Sequence, residues 1–199
     1  SSTAIIFSLN DRTSTRLIRV QERTTDLEKI ALTNSLSRKI SNKELTIDEA
    51  KSEFIHLQHA SLQYSFLTNF FAAAIACGFF LFMFGGVASD CWIAVIAGGS
   101  AFLTFSFVQR YIQIKFFSEF VAAAVVISIA ATFTKLGIAT NQDIITIASV
   151  MPLVPGILIT NAIRDLLAGE LLAGMSRGVE AALTAFAIGA GVAIVLLII

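Results

Sequence analysis

The chain has 199 residues, of which 56% are hydrophobic and only 14% charged, with 14 basic and 14 acidic side chains and a formal net charge of zero. A soluble domain carries roughly 25% charged residues, so a wholly soluble fold is excluded. Nucleic acid is excluded as a partner too, since no basic run or net positive charge exists to meet phosphates.

The charges are unevenly spread. Residues 1–65 hold 9 of the basic and 8 of the acidic side chains, which divides the chain into a polar region, 1–65, and a membrane domain, 66–199. The fold class expected is mainly α: a polytopic membrane protein of five transmembrane helices with a small α/β cytoplasmic N-terminal region. The chain begins without Met on a β-like segment and stops inside an apolar run, so flanking parts of a longer protein are expected to be missing.

In the polar region, Thr3-Ala-Ile-Ile-Phe-Ser-Leu9 and Thr15-Arg-Leu-Ile-Arg-Val-Gln21 flank Asn10-Asp-Arg-Thr-Ser14 and predict a β-hairpin. Thr25-x-x-Glu28 and Thr46-x-x-Glu49 are capping boxes, in which each side chain satisfies an orphan helix donor. The first opens a helix with Leu27, Ile30, Ala31 and Leu36 on one face. The second carries Ile47, Ala50, Phe54 and Leu57. His56 and His59 stand at i, i+3, but no Cys or HExxH pattern accompanies them, so they read as a solvated face and no metal is expected. Cys77 and Cys91 lie at no metal-ligand spacing and read as small packing residues. No cofactor is implied.

Apolar runs of about 20 residues cross a bilayer as helices, and five qualify, near 66–88, 91–109, 116–134, 143–167 and 177–199. The loop before the last runs from Ala168 to Ser176, and Glu170 and Arg177 at the span edge read as belonging to this inner loop. With the polar region inside, Arg110, Lys115, Arg164 and Arg177 also face the cytoplasm, while Lys135, Asp90 and Asp143 face out; this places the N-terminus in and the C-terminus of the chain out. Ala94-x-x-x-Gly98, Ala97-x-x-x-Ala101, Ser118-x-x-x-Ala122 and the Ala181, Ala185, Gly189, Ala193 series read as packing seams. An odd number of spans suits one half of an inverted-repeat transporter, so a second five-span module, fused or separate, is an expected partner.

The fourth span carries the chemistry. Met151-Pro-Leu-Val-Pro-Gly156 breaks it, because proline removes backbone donors and cannot continue the ladder. Broken helices at bilayer depth occur where backbone is buried in protein or lines a cavity. A new helix N-terminus after Pro155 would offer the amides of Gly156, Ile157 and Leu158 to a substrate carboxylate. Asn161 can donate to and accept from a hydroxyl or ammonium group. Arg164 and Asp165 follow on the next turn, as an interfacial pair or as groups that hold substrate or a proton. Asp165, Glu119 and Glu180 are the candidates for proton coupling, since intramembrane carboxylates are costly to keep. No catalytic constellation is present: both histidines lie outside the spans, so an enzyme is not expected.

Val154-Pro-Gly156, Asn161-Ala, Asp165-Leu and Gly169-Glu-x-x-x-Gly174, followed by Arg177 and Glu180-Ala, resemble the threonine/serine exporter family of bacterial and fungal membrane proteins. Ser2-Thr-Ala-Ile-Ile-Phe, Thr13-Ser-Thr-Arg-Leu-Ile-Arg and Leu45-Thr-x-x-Glu-Ala50 resemble its cytoplasmic segment and linker helix. The resemblance implies an N-in five-span module working with a smaller five-span module, and export of threonine and serine or of small dicarboxylates such as succinate. The family's further N-terminal helix, with its Gly-Ala-Glu-like turn, is not in this sequence. The expected activity is therefore secondary, proton-coupled export of small hydrophilic amino acids, threonine and serine, across the bacterial cytoplasmic membrane. Dicarboxylate export by one subunit of a two-component transporter is the alternative. Membrane lipid and a homo-oligomer complete the expected partners.

Overall fold

Short helix-terminating signals, rather than long loops, set the element boundaries of this chain. The structure is a computed structural model, and it describes residues 4–8, 15–19, 27–59, 64–112, 114 and 116–199; side chains are described from residue 28 onward, except that of His59. It divides by contact into Ser1–Ser65 and Phe66–Ile199.

In the first unit, strands β1 (Ala4–Ser8) and β2 (Thr15–Arg19) pair antiparallel, Ile6 opposite Leu17. Helices α1 (Leu27–Ser41) and α2 (Ile47–His59) pack on each other and bury Leu36 and Ala50, while Ile30, Ile47 and Phe54 stay exposed. Among the described residues β1 pairs with β2 and α1 packs on α2, and the expected small α/β region is not supported. The capping box at Thr46 closes: the Thr46 amide donates to Glu49 Oε2 at 2.9 Å, and the Glu49 amide to Thr46 Oγ1 at 3.4 Å. The loop 10–14 and Thr25 lie outside the described residues.

The second unit is entirely helical among the described residues. Its helices are α3 (Phe66–Met83), α4 (Cys91–Tyr111), α5 (Phe117–Lys135), α6 (Gln142–Val150), α7 (Gly156–Leu167) and α8 (Leu171–Ile198). Four spans are long and apolar enough to cross a membrane: α3, α4 with its preceding turn, α5 and α8. Residues Gln142–Leu153 and Gly156–Leu167 form a fifth only as a pair bent by 65°.

The fifth span starts at Leu171, not near residue 177. Gly169, at φ +85°, ends α7 in a left-handed turn in which the Gly169 amide donates to Leu166 O and the Glu170 amide to Asp165 O. The chain then re-enters helix at once, so Arg177 lies in the second turn of α8 rather than in a loop.

Leu81, Ile93, Ala94, Ala130, Ile145 and Ala148 form a core that joins α3, α4, α5 and α6. Small residues let these helices approach. Gly98 on α4 meets Cys77 on α3 so closely that a Cβ there would collide with the sulfur. Ala94, Ala97, Gly98 and Ala101 are buried, and so are Ser118 and Ala122. On α8 the seam differs from the expected series. Ala181, Thr184, Ile188 and Gly191 are buried, leaving Ala185, Gly189 and Ala193 exposed. Gly191 faces the Phe120 backbone of α5, and Lys135 Nζ donates to Ile199 O at 3.2 Å. Both contacts advance in the same sense, so α5 and α8 run parallel.

Candidate functional site

The outer half of the broken span is fixed before the break occurs. Asn141 caps α6 by accepting from the Ile144 amide at 3.2 Å. Upstream, the Asp90 carboxylate, 1% exposed, accepts from the amides of Thr140 and Asn141, each at 3.1 Å. This ties the α3–α4 corner to the start of α6. Further along, Ser149 Oγ donates to Ala94 O at 3.2 Å, and Cys77 Sγ contacts Ser149 O at 3.7 Å. Val150 and Leu153 pack on Ala97, Ala101 and Val126. The turn at Met151–Leu153 is therefore anchored in the α3–α4–α5 core.

Beyond it the chain changes partners. α7 packs principally on α8. The Val154 amide donates to Met151 O, the Gly156 amide to Val154 O at 2.8 Å, and the helical ladder resumes with Ile159 to Pro155 O. Of the three amides expected to bind an anion, that of Gly156 is thus already paired, while those of Ile157 and Leu158 have no acceptor among the described residues. Thr160 Oγ1 donates to Gly156 O at 2.9 Å, satisfying a carbonyl rather than the freed amides.

The helical period divides the expected site residues into two groups. Gly156 and Thr160 share an exposed face with Ile163 and Leu167, and nothing lies within 4 Å of where a Cβ of Gly156 would stand. Leu158, Asn161, Ala162 and Asp165 lie on the side turned to α8, partly or fully buried. Arg164 is exposed beside them. The Pro155 N-terminus and the Asn161–Asp165 pair are therefore not one cluster.

What Asp165 does meet is Arg177: its Oδ2 accepts from Arg177 Nη1 across the α7–α8 interface. Close approach at Gly174, where a Cβ would press on Leu166 and the Ala162 carbonyl, holds the two helices at that separation. Sequence reasoning left Arg177 in a loop; the Leu-Leu-Ala-Gly169 helix stop is the signal that would have placed it. Asn161, Asp165 and Arg177 together offer an amide, a carboxylate and a guanidinium along one seam.

The remaining carboxylates lie apart. Glu119, in the first turn of α5, accepts from Ser118 Oγ at 2.9 Å; Lys115, four residues before it, is outside the described residues. Its neighbour Phe120 is level with Gly191, which stands about 16 Å along α8 from Glu180. Among the described residues no three His, Cys, Asp or Glu side chains gather as a metal site. His56 is exposed. Two grooves open elsewhere in the second unit. One, of about 380 Å³, runs along α5 from Val121 to Phe133, and one, of about 460 Å³, lies where Phe66 meets the last turns of α4.

The model of one protein family, ThrE, described as "Putative threonine/serine exporter", matches residues 1–199, the whole chain. No curated protein matches, and no solved structure does.

Proposed function

We propose, from the premise that this chain belongs to the threonine/serine exporter family, that its α7–α8 seam binds small hydroxylated amino acids for export. Membership makes it a transporter component with multi-pass apolar helices. The proposal concerns which residues act and how. The single observation that carries it is the Asp165–Arg177 pair with Asn161 one turn away on the same face of α7.

A zwitterion is complementary to that pair. Its ammonium replaces Arg177 on the Asp165 carboxylate, its carboxylate replaces Asp165 on the Arg177 guanidinium, and its hydroxyl meets the Asn161 amide. Substrate and ion pair thus exchange with little change in charge, which limits the cost of moving charge into a poorly solvated seam. A proton on Asp165 removes the ammonium's partner. Proton and substrate therefore compete for one carboxylate, and an inward proton can be exchanged for an outward amino acid across the bacterial cytoplasmic membrane. The basic side chains favour the N-terminus inside and Ile199 outside. The exposed Gly156–Thr160 face of α7 is where a second five-span module, fused or separate, would complete the cavity. Arg164 stands off the seam, so dicarboxylate export, in which it would take the second carboxylate, gains no observation in its favour.

The test is efflux of preloaded radiolabelled threonine from cells expressing the protein, with and without a proton uncoupler. Efflux that the uncoupler stops, and that Asp165→Asn, Arg177→Gln and Asn161→Ala each reduce at least tenfold at equal membrane abundance, is the expected result. Unaltered efflux from Asp165→Asn and Arg177→Gln would remove the seam from the mechanism.

A further inference from the structure

The inner groove at the ends of α3 and α4 has a chemistry that transport does not use. Its lining is Phe66, Leu103, Thr104, Ser106, Phe107 and Arg110. Leu103, Ser106, Phe107 and Arg110 fall on one face of α4 by helical spacing. Leu103 and Phe107 are exposed apolar side chains there, and Phe107 is in ring contact with Tyr111, centroids 4.6 Å apart.

Among the described residues the polar groups of the groove have no hydrogen-bond partner. Ser128, Thr132, Thr134, Thr146, Thr160 and Thr184 each donate a hydroxyl proton to the carbonyl one turn back. Thr104 and Ser106 make no such bond, and Arg110 has no hydrogen bond or ion pair among the described residues. Donors left without acceptors beside a bilayer are costly. Ser106 lies about 6 Å and Thr104 about 9 Å deeper than Arg110 along the helix axis. The headgroup layer on one side of a bilayer is about 5–7 Å deep, so with Arg110 at its outer edge Ser106 stands at its inner boundary and Thr104 just below, where ester carbonyls lie.

We infer that this groove is a binding site for an anionic phospholipid. The guanidinium of Arg110 takes the phosphate, the Ser106 and Thr104 hydroxyls donate to ester carbonyls, and an acyl chain lies on Phe66, Leu103 and Phe107. The charge of Arg110 selects an acidic over a zwitterionic headgroup. The site stands on its own geometry and does not depend on what the protein exports.

The probe is phosphatidylglycerol against phosphatidylcholine of the same chains, titrated into the detergent-purified full chain and read by native mass spectrometry. Wild type is expected to bind the first phosphatidylglycerol about fivefold more tightly than phosphatidylcholine. Arg110→Gln should bring the ratio close to one, while Lys135→Gln, at the other end of the bundle, leaves it unchanged. Leu103→Trp, which fills the groove, should weaken both lipids. Thermal unfolding of each variant confirms that it is folded. The inference is overturned by a ratio of one in wild type or a wild-type ratio in Arg110→Gln. It is equally overturned by an equal loss in Lys135→Gln, or by displacement of the lipid with millimolar inorganic phosphate.

Discussion

Replacing Asp90 by alanine should cost more stability than any substitution of an exposed charge in this chain. The carboxylate is fully buried and its partners are the backbone amides of Thr140 and Asn141, 50 residues away in sequence. Alanine removes the acceptor and leaves two amides without their partner at a position that the Asp90 side chain now fills. An orphaned buried donor costs about 1–3 kcal/mol, so the two together give a loss of roughly 2–6 kcal/mol. Asn keeps one acceptor oxygen, and Asp90→Asn should lose only about 1–2 kcal/mol by the same reasoning. For a chain of this length 1 kcal/mol moves the melting temperature by about 2–4 °C, so the alanine variant should melt on the order of 10 °C lower. Thermal unfolding in detergent micelles, followed by circular dichroism, measures both. An alanine variant within about 0.5 kcal/mol of wild type would refute the reasoning, because the amides would then have acceptors other than Asp90.

Gly191→Ala should destabilise the chain by about 1–3 kcal/mol, because the added methyl meets the Phe120 backbone; the same melting experiment would show no change if α5 and α8 can part freely. The Glu49 carboxyl is held below its usual range by the Thr46 amide and hydroxyl. Its folded pKa is depressed, so the stabilisation of α2 is present above the unfolded value and lost as pH falls through the lowered one. Glu49→Ala should flatten that acid-side loss of helix signal, and an unaltered pH profile would count against the capping box. A maleimide should modify Cys91, which is partly exposed, well before Cys77, which is fully buried; equal labelling by mass spectrometry would mean that the α3–α4 seam opens.

Much of the membrane domain could be read from local chemistry. Prolines 152 and 155 with Gly156 marked the break, because each proline removes a backbone donor from the helical ladder. Hydropathy located four of the spans because lipid imposes one length on all of them. The start of the last span was misplaced for a different reason: Gly174, Ser176 and Gly178 resemble loop residues in sequence, yet Gly174 and Gly178 face Ala162 and allow α7 to lie close on α8. Asp90 looked like an ordinary charge in a short external turn. Its partners are backbone groups, which carry no residue signature, so nothing in the sequence of α6 announces them. The Asp165–Arg177 pair was likewise hidden, since its spacing has meaning only once the turn at Gly169 sets the two helices side by side. For α1 and α2 the periodicity was present, but most of the apolar face is exposed, and periodicity alone does not say what covers it.

The interruption between Val150 and Ile159 has a consequence for how this domain opens in solution. No hydrogen bond of the regular helical ladder crosses Pro155, and the short turns on its N-terminal side close on themselves. Cooperative protection cannot spread through a backbone that lacks those bonds. α6 should therefore exchange its amide hydrogens with the slow rhythm of the α3–α4–α5 core, and α7 with that of α8. One membrane crossing then belongs to two cooperative units, which meet at a joint of a few torsion angles.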